Sequence, residues 1–392
     1  MKSWGIILLL PCLLWAQPEF FGYFESEADV MQLGAEKYSF GYNKLRVDLE
    51  TRPNDNVLIG ANINVQQYWG QTTWNIYDFI PGYANIGSEM NIHLPDTILL
   101  DNVYMKISFP KLDLTIGKQQ ISPGVGYAWN PTDIFNAKTL LDPSYEQTGV
   151  SVIQFEIPIN SRSSLSGVFK PEYNWDNSTK QAWLNSGLGR FDYSITAAEY
   201  NWESTRGLIY QYESLENRSL AGVSIVGEAF GWGLWSEFAY NHIEYYSGPE
   251  VWVSSFYYAP DVDFNEIVVG VDHTFDNSVY LLMEYLHNDY GKSVLDELNI
   301  YDYLFSLSGN ARSLMQDYGF LYLMHQTFDF VSLSAIAIAN FNDGSGSVGP
   351  QVDWNIYQDT NISLQSNFSW GADNTEFGLQ DWGLRLRLSS NF

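Results

Sequence analysis

Apolar and polar side chains alternate in runs of about ten residues along most of the chain, which makes its building units two-faced β-strands. Leu45, Val47 and Leu49 oppose Lys44, Arg46, Asp48 and Glu50, and Ile59, Ala61, Ile63 and Val65 oppose Gly60, Asn62, Asn64 and Gln66. The pattern returns where Val103, Met105, Ile107 and Phe109 oppose Asn102, Tyr104, Lys106 and Ser108, and where Ile362, Leu364, Phe368 and Trp370 oppose Ser363, Gln365, Asn367 and Ser369. After residue 16 no stretch approaches the roughly 18 apolar residues of a membrane helix. Each strand thus has one oily and one wet face, as in a soluble sandwich or a membrane barrel.

Connection lengths separate these two. Short turns fall at 52–56, 110–111, 158–163, 187–190, 227–231, 276–277, near Asp329 and at 358–361, and between them lie longer segments, among them 69–96, 122–148, 242–266 and 288–316. Regular alternation of short and long connections belongs to a transmembrane antiparallel up-and-down β-barrel with short periplasmic turns and long outer loops. With a strand at each terminus the count reaches 18. The segment 206–220, where Leu208-Ile209-Tyr210 is either loop or strand, leaves 16 as the alternative.

The N-terminus reads as an export signal, with Lys2 before a short apolar core and Ala16 as the cleavage residue. The division is then 1–16 signal peptide and 17–392 barrel. The single cysteine, Cys12, falls inside the signal, and Pro11 before it argues against lipidation. A formal charge of −27 excludes nucleic acid as a partner, since phosphate binding needs a basic surface.

The last ten residues carry a resemblance. Leu384, Leu386 and Leu388 are in phase with a C-terminal Phe392, and this segment looks like the terminal strand of bacterial outer-membrane proteins. The resemblance implies recognition by the barrel-assembly machinery, contact with outer-membrane lipids, and residence in the outer membrane of a diderm bacterium. A second resemblance lies in Ile116-Gly117-Lys118-Gln119, in 124–133 with its Trp129-Asn130-Pro131-Thr132-Asp133, and in 142–146. These segments look like part of porin-like barrels and imply a channel. Lys118 departs from the pattern, because Leu112, Leu114 and Ile116 phase it toward lipid unless a bulge intervenes.

The loop 122–148 is too apolar to extend into water, with Tyr127, Trp129, Ile134, Phe135 and Leu141 along it. It either caps the outer end or folds into the lumen as a constriction. The inward fold makes Tyr127, Trp129, Asp133, Asp142 and Glu146 the candidate constriction residues, with a short helix near Asp133.

Register places Glu25 and Glu27 of the first strand inward, beside Lys44 and Arg46 of the second and Arg385 and Arg387 of the last. Glu25, Arg46 and Arg387 are equidistant from their strand ends, so an ionic ladder is expected across the closing seam, subject to stagger. It either pins the register or sets a transverse field. Asp113, Glu156, Asp192, Glu237, Asp272, Glu284 and Asp353 share the inward phase against Lys106 and Lys170, which favours cations.

Other signals are weaker. Asp261-Val262-Asp263 opens like a calcium loop without its glycine, Val294, Leu298 and Tyr301 after a Ser293 cap suggest a lid helix, and 344–349 matches a dinucleotide pattern with no helix after it, as a flexible loop would. No catalytic triad elbow or zinc motif occurs, the histidines are scattered, and neither enzyme activity, cofactor nor metal is expected. Tyr104 and Trp235, phased inward, offer stacking surfaces for sugar rings. The expectation is a passive outer-membrane porin for small hydrophilic solutes or ions, with cation preference and a possible homotrimer. The alternatives are a sugar-selective channel, a non-conducting binding or adhesion barrel, and a secreted carbohydrate-binding protein.

Overall fold

A computed structural model describes residues 18–34, 36–82, 90–135, 148–203, 215–245, 262–300, 302–303 and 312–392. The strands are β1 (Glu19–Leu33), β2 (Glu36–Asn54), β3 (Val57–Gly70), β4 (Thr73–Asn75), β5 (Asn91–His93), β6 (Thr97–Phe109), β7 (Leu112–Gln119), β8 (Val150–Asn160), β9 (Ser163–Lys170), β10 (Thr179–Leu188), β11 (Phe191–Glu203), β12 (Leu215–Ala229), β13 (Trp232–Tyr245), β14 (Val262–Thr274), β15 (Val279–Asn288), β16 (Asp317–Phe328), β17 (Val331–Asn340), β18 (Gly346–Tyr357), β19 (Thr360–Trp370) and β20 (Gln380–Asn391). All but β4 and β5, which pair with each other, join one 18-stranded antiparallel sheet, and β1 pairs with β20 to close it. Closure leaves no open edge and pairs the backbone polar groups within the wall.

The 16-strand alternative falls, because β11 and β12 pair from Phe191↔Gly227 to Glu203↔Leu215. Leu208, Ile209 and Tyr210 lie outside the described residues. The expected short turns all occur at one end. At 230–231 both residues take positive φ, 56° and 78°, the mirror-image turn whose twist suits a two-residue hairpin. The other end is less uniform than expected. Gly34, at φ 55°, turns β1 directly into β2, and 341–345 joins β17 to β18. The glycine-rich 344–349 is therefore mostly strand, and Ser345 and Ser347 are buried.

Lys118 stays on the outer face, where its Nζ donates to the carbonyl of Leu100 at 3.0 Å. The irregularity sits in the neighbouring strand, since the β3–β6 register skips Asp101 between Leu100 and Asn102. Val65, Met105, Ile116, Ile195, Leu364 and Leu386 are exposed on the outside, while Asn62, Ser166, Gln181, Thr196 and Glu237 are buried on the inside.

One sector breaks this division. Val268, Leu282, Leu286, Phe320, Ile336 and Ile338 point inward from β14–β17 and are buried in a cluster with Ile80, Trp129, Met315 and Tyr318. An oily inner wall in a water-filled lumen would be unstable, and here loops fold in to cover it. Each such side chain contributes roughly 1.5–3 kcal/mol when buried. In the stretch expected to form a lid helix, a three-residue 3-10 turn, Leu295–Glu297, follows Val294 without a side-chain cap, and α-helical backbone is described only at 300 and 302–303. Asp263 lies within β14 and hydrogen-bonds His242, so the calcium-loop spacing is not realised; Asp261 and Tyr301 lie outside the described residues.

Candidate functional site

The inner surface combines an apolar sector covered by loops with a polar sector around the closing seam. On the covered side, residues 122–135 of the β7–β8 loop lie against the inner wall and are held by two glutamates. Glu284 on β15 accepts the backbone N–H groups of Tyr127 (2.7 Å), Ala128 (2.9 Å) and Trp129 (2.8 Å), and the indole N–H of Trp235 (2.8 Å). Glu237 on β13 accepts the N–H of Val125 at 2.8 Å, and both the N–H (2.5 Å) and hydroxyl (2.8 Å) of Thr132. A carboxylate fed by several N–H donors is a strong anchor, because charge-assisted hydrogen bonds are roughly twice as strong as neutral ones.

Side chains complete the attachment. The Tyr127 ring stacks on Tyr322 with centroids 6.1 Å apart, and Trp129 meets Phe320 edge-on at 6.2 Å. Arg312, from the β15–β16 loop, donates to the carbonyls of Pro131 (3.0 Å) and Asp133 (3.1 Å) while its Nε holds Glu266 at 2.9 Å. Gln181 on β10 donates to the Thr132 carbonyl at 2.9 Å.

Among the predicted constriction residues, Tyr127 is half-buried, and Trp129 and Asp133 are buried at 3% and 2% exposure. Asp133 accepts the N–H of Phe135 at 3.0 Å, which makes it part of the loop's own framework, where the sequence suggested an acid facing the lumen. No helix follows it through residue 135, in contrast to the sequence expectation. Asp142 and Glu146 lie outside the described residues.

Across the seam the ladder forms, displaced by two residues from the equal-height expectation. Glu27 faces Arg387 and Asp29 faces Arg385, while Glu25 faces Ser389. Arg387 Nε lies 2.7 Å from Glu27 and 3.7 Å from Glu25, and Arg385 Nε lies 2.9 Å from Asp29 and 3.3 Å from Glu27. On the other flank Glu25 faces Lys44, Arg46 faces Tyr23, and Tyr42 donates to Glu25 at 2.6 Å. Arg46 itself holds Asp48 at 2.8 Å. Leu384, Leu386, Leu388 and Phe392 are exposed on the outer face, and Phe392 exchanges backbone hydrogen bonds of 3.0 Å with Gly22.

Acids elsewhere in the lumen meet neutral donors or single bases. Asp353 accepts from Gln351 and Ser363, Asp272 from Tyr280 at 2.8 Å, and Asp113 pairs with Lys106 at 2.8 Å. Tyr104 lies inward and half-buried, with its ring over Gly60, and Trp235 is taken up by Glu284.

Sequence reasoning placed Glu237 and Glu284 on the inner wall without their anchoring role, and missed Asp29 and Arg312. Asp29 was legible, being two residues beyond Glu27 on the same face. The overlooked signal for the covered sector was the loss of alternation in Leu281-Leu282-Met283, Phe320-Leu321-Tyr322-Leu323-Met324 and Ala335-Ile336-Ala337-Ile338, which marks strands buried on both faces.

A closed 18-stranded antiparallel barrel of this kind has solved counterparts. The fold is that of an outer-membrane barrel. OccK8 (OprE) of Pseudomonas aeruginosa aligns with a TM-score of 0.57 at 9% identity, over 96% of this chain and 98% of that chain. The outer membrane protein OprD of the same organism gives 0.56 at 9% identity, over 96% and 94%. OccAB1 of Acinetobacter baumannii gives 0.56 at 11% identity, over 96% of each. No family model and no curated protein matches the sequence.

Proposed function

We propose that the protein is a passive outer-membrane channel for small hydrophilic solutes, with a preference for cations. The observation that carries this reading is the asymmetric attachment of the inward loop. Its backbone is anchored to β10, β13 and β15, and its side chains reach β16. In this reading the loop is drawn to one side of the barrel, and the seam wall, with its ladder and the amides of β3 and β19, lines a polar path past it.

The charge of that path follows from the pairing. Arg385, Arg387 and Arg46 each sit on carboxylates, whereas Asp353 and Asp272 are met by neutral donors. A net negative inner wall concentrates cations and depletes anions. In this reading the outer face contacts outer-membrane lipids, and the leucine-phenylalanine strand serves as the assembly signal. The test is single-channel recording in a planar bilayer under a KCl gradient. Stable steps with a cation-selective reversal potential are expected, and stable insertion without conductance would reject a channel.

A further inference from the structure

Beneath the inward loop, toward the short-turn end, lies a pocket of about 380 Å³ between the loop and the inner ends of β10–β12. We propose that it is a docking subsite for a small uncharged polyhydroxylated solute of about monosaccharide size. The proposal rests on the channel reading and adds a substrate class to it.

The charges of the pocket cancel. Arg162, from the turn between β8 and β9, lays its guanidinium over Gly187, where any Cβ would collide with it. There it donates to the carbonyl of Gly189 at 2.9 Å and to Asp192 at 2.6 Å. The pair presents an edge that both donates and accepts, with no net charge to attract an ion.

The remaining polar groups are of the same mixed kind. Asn185 contributes an amide, and Ser224 is 3% exposed. Ser194, at 6% exposure, lines the pocket with a hydroxyl that has no hydrogen-bond partner. A buried, unmatched hydroxyl is unfavourable unless a ligand or water meets it. Hydroxyls, an amide and a neutralised ion pair suit ligand hydroxyls, which donate and accept at once. Val125 and Val226 supply an apolar side for the C–H face of a ring, and the Val125 N–H bond to Glu237 at 2.8 Å fixes that roof in place. The volume falls within the roughly 300–1,000 Å³ of small-molecule sites.

The test uses the full chain and D-glucose. In a planar bilayer, glucose is expected to interrupt the KCl current, more often from the short-turn side, while gluconate and glucosamine interrupt it at least about fivefold less. Ser194→Ala should shorten the interruptions about fivefold, and Ser224→Ala should do the same if the first variant fails to fold. Saturation-transfer NMR on the protein in detergent micelles gives a second readout that needs no current. Conducting channels without interruptions or saturation transfer overturn the subsite, and so do interruptions unchanged in folded Ser194→Ala. Saturation transfer that Ser194→Ala removes, in a protein that does not conduct, overturns the channel reading and upholds the subsite.

Discussion

The backbone nitrogen of Trp129 lies 2.8 Å from the carboxylate of Glu284, across 155 residues of chain. Because the same carboxylate also receives Tyr127 and Ala128, one side chain fixes three consecutive backbone groups of a loop that no strand pairing holds. Glu284→Ala leaves those donors buried without an acceptor, which costs roughly 3–5 kcal/mol. The heat-modifiable gel transition is expected to fall in temperature, and the conductance to become larger and noisier. Wild-type values for both would reject the anchor.

Asp133 is buried inside the loop at 2% exposure, whereas Asp353 is half-buried on the inner wall, so only the second would face the proposed path. Asp353→Asn should move the reversal potential toward zero. Asp133→Asn should leave it in place and lower thermal stability, because Asp133 caps Phe135 inside the loop. The opposite pattern in the two reversal potentials would overturn this placement.

The seam ladder gives a coupling. Glu27 is 5% exposed and Arg387 20%, so their bond at 2.7 Å is only partly screened. A double-mutant cycle with Glu27→Ala and Arg387→Ala should return about 1–2 kcal/mol. Additive single effects would mean that the backbone register alone holds the seam.

Glu376, in the β19–β20 connection, is buried against the Tyr318 hydroxyl (2.5 Å) and the Asn340 amide (2.8 Å). Burial pushes its carboxyl from 4.5 up to about 7, and Asp343 pushes in the same direction. The folded state therefore binds a proton that the unfolded state releases between these values. Its contribution to stability is complete below about pH 4.5 and is lost as pH rises through about 7. Thermal unfolding at pH 5 and pH 8 should show this decline, and Glu376→Gln should flatten it. An equal decline in the variant would assign the dependence to other groups.

Phe392 joins two proposed roles, since it exchanges hydrogen bonds with Gly22 and carries the assembly signal. Removing Phe392 should reduce surface-assembled protein in cells severalfold while leaving refolding into detergent nearly intact. Equal loss in both settings would make it a seam residue only.

The barrel was legible because period-two alternation and turn spacing are local properties, visible wherever one face meets lipid and the other water. The seam ladder was half legible. Each residue's face follows from phase, but the pairing of Glu27 with Arg387 depends on barrel stagger, which no single strand encodes. The anchoring of the loop was not legible, since Glu237 and Glu284 read like any other inward acids until the loop's N–H groups arrive over them. The oily sector escaped for a related reason. Its strands were assigned to a lumen assumed wet throughout, and only the docked loops explain why Phe320 and Ile338 point inward.

That sector has a consequence for how the chain is made. In the outer-membrane reading, β14–β17 offer hydrophobic side chains on both faces before insertion, which makes them prone to self-association in transit. Insertion alone shields only the outer face. The inner one is satisfied when 122–135 swings across and lands on Glu237 and Glu284, so loop docking belongs to the folding reaction itself. A chain that inserts without completing that step would hold a sticky apolar interior open to solvent and to any protein that binds exposed apolar strand.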